Sequence, residues 1–271
     1  MTMSESADDL TSVLSVSSLG PGRWSADVPD GWQQGRGAFG GLVLGMVARA
    51  ILASDDDEQR SLRSISGEIV GPVQPGVAEI EILVLRRGSG VSTLSALFRQ
   101  GGEVLAHATG VLAKARADAT SLVTLSSPSM PPWEAQQGRA IPDAMAPRFV
   151  RHFDMRSTGA VPFSGGRDPS GAGWVRATRT PSRLGAPEVI AYADAWWPAI
   201  FPVWTTVRPM ATLAFTLQMV ADPATLVPEE PLFHRSTMLC ARDGYSVEQR
   251  ELWTKAGTLV ALNQQTFVTI K

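Results

Sequence analysis

Hydrophobic and polar positions divide this chain into blocks of two different periods. Over Gly40–Ala53 (GGLVLGMVARAILA) apolar residues run almost unbroken past Arg49, at a length that suits a buried helix. After an acidic turn at Asp55, Asp56 and Asp57 the period changes. Glu79, Glu81 and Leu83 alternate with Ile80, Ile82 and Val84, the signature of a strand with one covered face. Strands are predicted at 24–28, 63–70, 77–86, 91–100 and 104–114. The Gly- and Pro-rich turns at 72–76 and 87–90 are short enough to make neighbours antiparallel.

The second half repeats this order. Strands are predicted at 148–155 and 173–179, a helix over 187–201, and strands at 211–220, 232–241, 246–255 and 258–270. Residues 96–106 (ALFRQGGEVLA) align with 251–261 (ELWTKAGTLVA), so that Gly102 and Gly257 stand 155 positions apart (257 − 102). The two helices, starting near Phe39 and Glu188, are 149 apart (188 − 39). Offsets this close indicate two copies of one unit. The expected organisation is a mobile N-terminal tail at 1–19, a first repeat at 20–115, a Ser-, Pro- and Ala-rich linker at 116–146, and a second repeat at 147–271.

One residue breaks the apolar pattern of the second helix. At helical spacing Ile190, Asp194, Trp197 and Phe201 share a stripe, so a carboxylate points the same way as large apolar side chains. Burial of that kind raises a carboxyl pKa or forces the group to find donors, as in many catalytic acids and bases. Pro198 has no N–H for the Asp194 carbonyl four residues back, which predicts a kink. The repeat offsets set Gly45 opposite Asp194, so the acid is not demanded by the helix itself.

Composition narrows the function classes. The 271 residues are 44% hydrophobic and 18% charged, enough apolar content for a packed core. A net charge of −2, without a basic stripe, argues against a nucleic-acid partner. The single Cys240 rules out an internal disulfide and suits a reducing cytoplasm. His107, His152 and His234 lack metal-ligand spacing, so neither a metal nor a cofactor is expected. The N-terminus has no signal-peptide pattern, and no apolar run reaches the ~20 residues of a membrane span.

Two glycine patterns compete at 35–45. Gly35, Gly37 and Gly40, with Asp55 twenty positions after Gly35 (55 − 35), match a dinucleotide-binding fingerprint. The polar DGWQQ before them replaces the buried strand that such a site needs, which marks a decoy. Gly37, Gly41 and Gly45 recur every four residues, which suits close backbone approach to one helix face. A Gly-rich helix start also presents free N–H groups, making Gly40 and Gly41 candidate oxyanion donors.

Beyond these readings, the layout resembles a known family. The residues that carry it are Gly71-Pro72-Val73-Gln74-Pro75-Gly76, then Val84-Leu85-Arg86-Arg87-Gly88, then Leu97 through Gln100 to Gly102 and Ala106. Together with the helix-and-meander repeat they are similar to the type II acyl-CoA thioesterase-like proteins, from about Trp24 to the C-terminus. The resemblance implies an α+β double-hotdog fold: two repeats, each a long helix wrapped by a curved antiparallel sheet. It also implies hydrolysis of acyl-CoA, a role in lipid metabolism and assembly as a homodimer or higher homo-oligomer. Its catalytic pattern, an Asp, a Ser or Thr and a Gln that hold a water, falls on Asp194, Thr212 and Gln265. Gln264 is a one-residue alternative. Ala214-Phe215 stand where many relatives carry an Asp-His pair, which leaves substrate preference open. Trp197 and Phe201 are candidate substrate-binding aromatics. Two rival readings remain, a non-catalytic acyl-CoA or hydrophobic-ligand binder and an enoyl-CoA hydratase.

Overall fold

A computed structural model of the protein describes residues 9–117, 120–136 and 146–270. Residues 1–8 of the predicted tail, and 118–119 and 137–145 of the predicted linker, lie outside the described residues. The first half comprises α1 (Leu10–Val13), β1 (Ser17–Gly20), β2 (Arg23–Val28), the small hairpin β3 (Gln33–Gln34) and β4 (Gly37–Ala38), α2 (Gly40–Ala53), β5 (Ser61–Ile69), β6 (Gly76–Arg87), β7 (Val91–Gln100) and β8 (Glu103–Ala113). The second comprises β9 (Phe153–Ser157), β10 (Ser170–Ala177), α3 (Ala186–Asp194), β11 (Met210–Met219), β12 (Leu232–Arg242), β13 (Tyr245–Trp253) and β14 (Leu259–Thr269).

Twelve strands form one antiparallel sheet in the order β1-β2-β6-β7-β8-β5-β11-β14-β13-β12-β10-β9. Read inward from either edge, the order visits corresponding strands of the two halves. The halves therefore meet at β5 and β11, where Ser66 lies opposite Thr216. The predicted duplication is thus an approximate two-fold within one sheet.

The two central helices pack against each other on small residues, antiparallel as that two-fold requires. A Cβ placed on Gly41 would lie 2.9 Å from the Asp194 Cβ, and one on Gly45 would lie 3.1 Å from the Pro187 carbonyl oxygen. One turn beyond, Arg49 pairs with the buried Glu188. Gly41 and Gly45 thus clear the helix face as their spacing predicts. Gly37 belongs to β4 instead, where a Cβ would lie 2.8 Å from the Pro72 Cα. Asp55 of the decoy fingerprint bonds Arg60 at 2.9 Å.

Several expectations need correction. The second helix is not long: α3 stops at Asp194, and a separate 3₁₀ turn spans Phe201–Val203. Pro198 leaves the Asp194 carbonyl without its helical donor and disfavours helical geometry at Trp197, so the helix ends rather than kinks. The Ala199 N–H then turns to the Glu248 carboxylate at 2.7 Å. Residues 9–19 are not a mobile tail, because Leu10 and Leu14 are buried and Leu14 packs against Gly45. Full burial of one leucine contributes about 2 kcal/mol, which holds a four-residue helix that would not persist alone.

The predicted strand at 148–155 opens as a 3₁₀ turn, Arg148–His152, before β9. In the described part of the linker, Trp133 is buried with Trp174, Phe233 and Trp253, and Arg156 lies 3.6 Å over its ring. Finally, the repeat alignment slips by one residue ahead of its turn. Matching bulges at Leu105 of β8 and Val260 of β14 set Phe98 and Leu252 in equivalent places, which equates Ala96 with Arg250 instead of Glu251. A one-residue slip exchanges the two faces of a strand.

Candidate active site

Asp194 is the last residue of α3 and sits beside the first turn of α2. Its Oδ2 accepts the Gly41 N–H at 2.6 Å, and its Oδ1 accepts from Gln265 Nε2 at 2.9 Å. The antiparallel helices explain this contact: the carboxylate leaves the negative end of its own helix and meets the positive end of the other. Gly40 and Gly41 are needed for the approach, since a Cβ on Gly40 would lie 3.0 Å from Oδ2.

Gln265 and Thr212 reach the same point from adjacent strands. Gln265 is 1% exposed, and its side-chain carbonyl accepts from Thr212 Oγ1 at 3.3 Å. Its amide also donates to Asn263 Oδ1 at 2.9 Å, which fixes the orientation of the side chain. Gln264 points to solvent. A bulge between Thr212 and Ala214 inserts one residue into β11, so that Thr212 and Phe215, three positions apart, are both able to serve the inner side. Phe215 is buried opposite Gln265. The structure thus joins Asp194, Gln265 and Thr212 in one hydrogen-bonded chain.

A second polar layer lies behind this chain on β12, β13 and β14. Arg250 is fully buried; its Nη1 donates to the Ala193 carbonyl at 2.9 Å and stands 3.9 Å from Asp194 Oδ1. Its Nε donates to Glu248, whose other oxygen takes the Ala199 N–H. His234 is buried and stacks on Trp196 with centroids 5.1 Å apart. Neither of its ring nitrogens has a hydrogen-bond partner among the described residues. Sequence reasoning missed Arg250, Glu248 and Asn263. Every residue from Glu248 to Glu251 is polar, so alternation there does not reveal which parity faces inward.

Burial raises the Asp194 pKa above the ordinary carboxylate value. The Arg250 charge, the Gln265 hydrogen bond and the Gly41 amide each act in the opposite direction. Burial, reinforced by Arg250, holds His234 well below the usual histidine pKa and so neutral.

The remaining candidates are placed differently from expectation. Gly41 has already given its N–H to Asp194, which withdraws it as an oxyanion donor and leaves Gly40. Trp197 and Phe201 do not continue the Asp194 stripe, because the helix has ended. Trp197 packs on Trp196 at 4.5 Å, and Phe201 lies between Phe163 and Trp204.

Residues 28–113 match the acyl-CoA thioesterase N-terminal domain, and residues 124–269 match the acyl-CoA thioesterase C-terminal domain. The chain belongs to the acyl-CoA thioesterase family. Its fold is that of a conserved hot dog protein of unknown function from Alicyclobacillus acidocaldarius, at TM-score 0.88 and 20% identity over 97% of this chain and 98% of that one. It also matches an acyl-CoA thioesterase II, TesB2, from Mycobacterium marinum, at TM-score 0.77 and 17% identity over 96% and 98%. The dehydratase domain of RzxB from Pseudomonas fluorescens shares the fold more distantly, at TM-score 0.57 and 13% identity over 96% and 99%. No curated protein sequence matches the chain. Among the described residues, no helix is long and apolar enough to cross a membrane.

Proposed function

We propose that this protein hydrolyses acyl-CoA thioesters to a free acid and CoA, with Asp194, Thr212 and Gln265 as its catalytic residues. The observation that carries the reading is the hydrogen-bonded chain of these three side chains around a buried carboxylate, in a member of a thioesterase family. Ionised Asp194 accepts a proton from a water as that water attacks the thioester carbonyl carbon. The Thr212 hydroxyl and the Gln265 amide hold the water and the carboxylate in register. The Gly40 N–H is the candidate donor to the oxyanion. When the tetrahedral intermediate collapses, the C–S bond breaks and the proton held by Asp194 passes to the departing thiolate.

A panel of acyl-CoA esters, followed by release of free thiol, tests the reading. Turnover by the wild type and a loss of about 100-fold in Asp194→Asn are expected. Ligand binding without thiol release at any chain length would identify a binder instead. Hydration of an enoyl-CoA without thiol release would identify a hydratase, a reaction class that the RzxB dehydratase domain makes worth assaying on this fold.

A further inference from the structure

Arg250 has no counterpart in the first half. Matching bulges equate it with Ala96, which is equally buried, so the fold does not require a cation there. Burying a guanidinium costs several kcal/mol unless its partners compensate, which makes stability a poor reason for its presence. Its placement is specific. One nitrogen binds the Ala193 carbonyl next to Asp194, and the opposite edge binds Glu248, whose second oxygen fixes Ala199 just past the helix end. Arg250 and Glu248 therefore grip the chain on both sides of Asp194, with the cation 3.9 Å from the carboxylate and both groups out of water.

We propose that Arg250 is a positioning residue that keeps Asp194 ionised in its buried setting, and that Glu248 sets how much of the Arg250 charge the carboxylate feels. The inference rests on the thioesterase reading for its kinetic consequence but not for its electrostatic one. Other charged and titratable groups around Asp194 do not substitute for Arg250. On β12, His234 is held neutral, and between α2 and α3 Arg49 is engaged by Glu188 at the far end of the helix pair. Tyr192 of α3 is turned to the Ala177 N–H. Gln265 on β14 is uncharged, and β11 contributes only Thr212 and Phe215 to this side. Removing the Arg250 charge raises the Asp194 pKa; removing the Glu248 charge lowers it.

The pH dependence of kcat/KM on one acyl-CoA ester reads both directions. In Arg250→Met the acidic limb should move up by at least about one pH unit, a tenfold loss on the acidic side. In Glu248→Gln it should move down, and in Arg250→Lys, which retains the charge, it should stay near the wild-type position. A uniform fall in rate with both limbs unmoved would overturn the proposal and leave Arg250 a brace for the helix end. Carboxyl 13C titration of Asp-labelled protein, with Asp194→Asn identifying the resonance, reads the same shifts without turnover. If the wild type hydrolyses no thioester, the functional reading fails, and the titration still decides whether Arg250 governs Asp194. An Asp194 resonance that titrates identically in wild type, Arg250→Met and Glu248→Gln would sink the inference even in an active enzyme.

Discussion

The inner faces of the two halves are built on one backbone plan and filled with opposite chemistry. Matching bulges at Leu105 of β8 and Val260 of β14 fix the register of β7 and β13, setting Leu94 against Glu248, Ala96 against Arg250 and Phe98 against Leu252. On the neighbouring strands Ile80 corresponds to His234, Ile82 to Ser236, Ala108 to Asn263 and Gly110 to Gln265. The bulge in β5 sets Leu62 where β11 carries Thr212. In the first half this face is apolar apart from the buried Ser92: Ile51 and Leu62 close over Gly110, and Leu14 closes over Gly45. The second half holds a carboxylate, a guanidinium and an imidazole, with Arg250 Nη2 and both His234 nitrogens unpartnered among the described residues. Each unsatisfied buried group costs about 1–3 kcal/mol. The comparison teaches a division of labour: one copy supplies stability, which lets the other carry an expensive polar interior.

Asp194→Asn should break the comparison most sharply, because it removes the acid while leaving the strands of the first half untouched. If that half has no chemistry, thioester hydrolysis falls about 100-fold and stays there, measured by thiol release at saturating substrate. Residual turnover near the wild-type rate would reveal a second site. Next comes Gly110→Gln, which copies the polar residue of the second half into the first. Its side chain would begin 3.0 Å from Ile51 Cγ2, so urea denaturation should show a loss of about 2 kcal/mol without gain of activity.

A smaller effect is expected from Thr212→Val, which gives the second half an apolar side chain as at Leu62. Losing one hydroxyl should lower kcat about tenfold while the urea midpoint changes little, and the reciprocal Leu62→Thr should lower stability with kcat unchanged. The subtlest contrast is in pH. Because burial raises the Asp194 pKa, the proposed catalytic base should protonate as pH falls through a value above the ordinary carboxylate range, and the rate should fall with it. For stability the sign is opposite. A raised folded-state pKa means that this group's stabilising contribution is full below its unfolded value and is lost as pH rises through the folded one. Urea midpoints of wild type and Asp194→Asn should therefore diverge in that window, whereas those of a variant confined to the first half, Leu62→Thr, should run parallel to the wild type at a lower value.

Much of this was legible in the chain. Period-two alternation located the long strands of both halves, since half-buried sheets leave that imprint, and the bounds of α2 followed from one apolar run. Asp194 stood out because a charge on an apolar stripe has few structural excuses. Alternation did not separate Gln265 from Gln264, because both sides of β14 mix polar and apolar residues, and only burial sets Gln265 inside. The length of α3 was misread because the aromatic residues after Asp194 kept a helical rhythm that Pro198 did not permit. Trp133 and Leu14 were invisible as core residues because their segments are short and polar around them.

By itself, then, the sequence determined the strand pattern, the duplication and the identity of the buried acid, all of which are written in local periodicity or in a single residue out of character. Only the tertiary structure decided which parity of β13 faces inward and which alignment of the repeats is true. It also decided what surrounds Asp194. The reason is that the turn between β13 and β14 is one residue longer than that between β7 and β8, which shifts strand parity, and that Gly41, Arg250 and Gln265 meet the carboxylate across 153, 56 and 71 positions of chain (194 − 41, 250 − 194 and 265 − 194). No local pattern encodes a contact that only the antiparallel packing of two helices beneath one sheet creates.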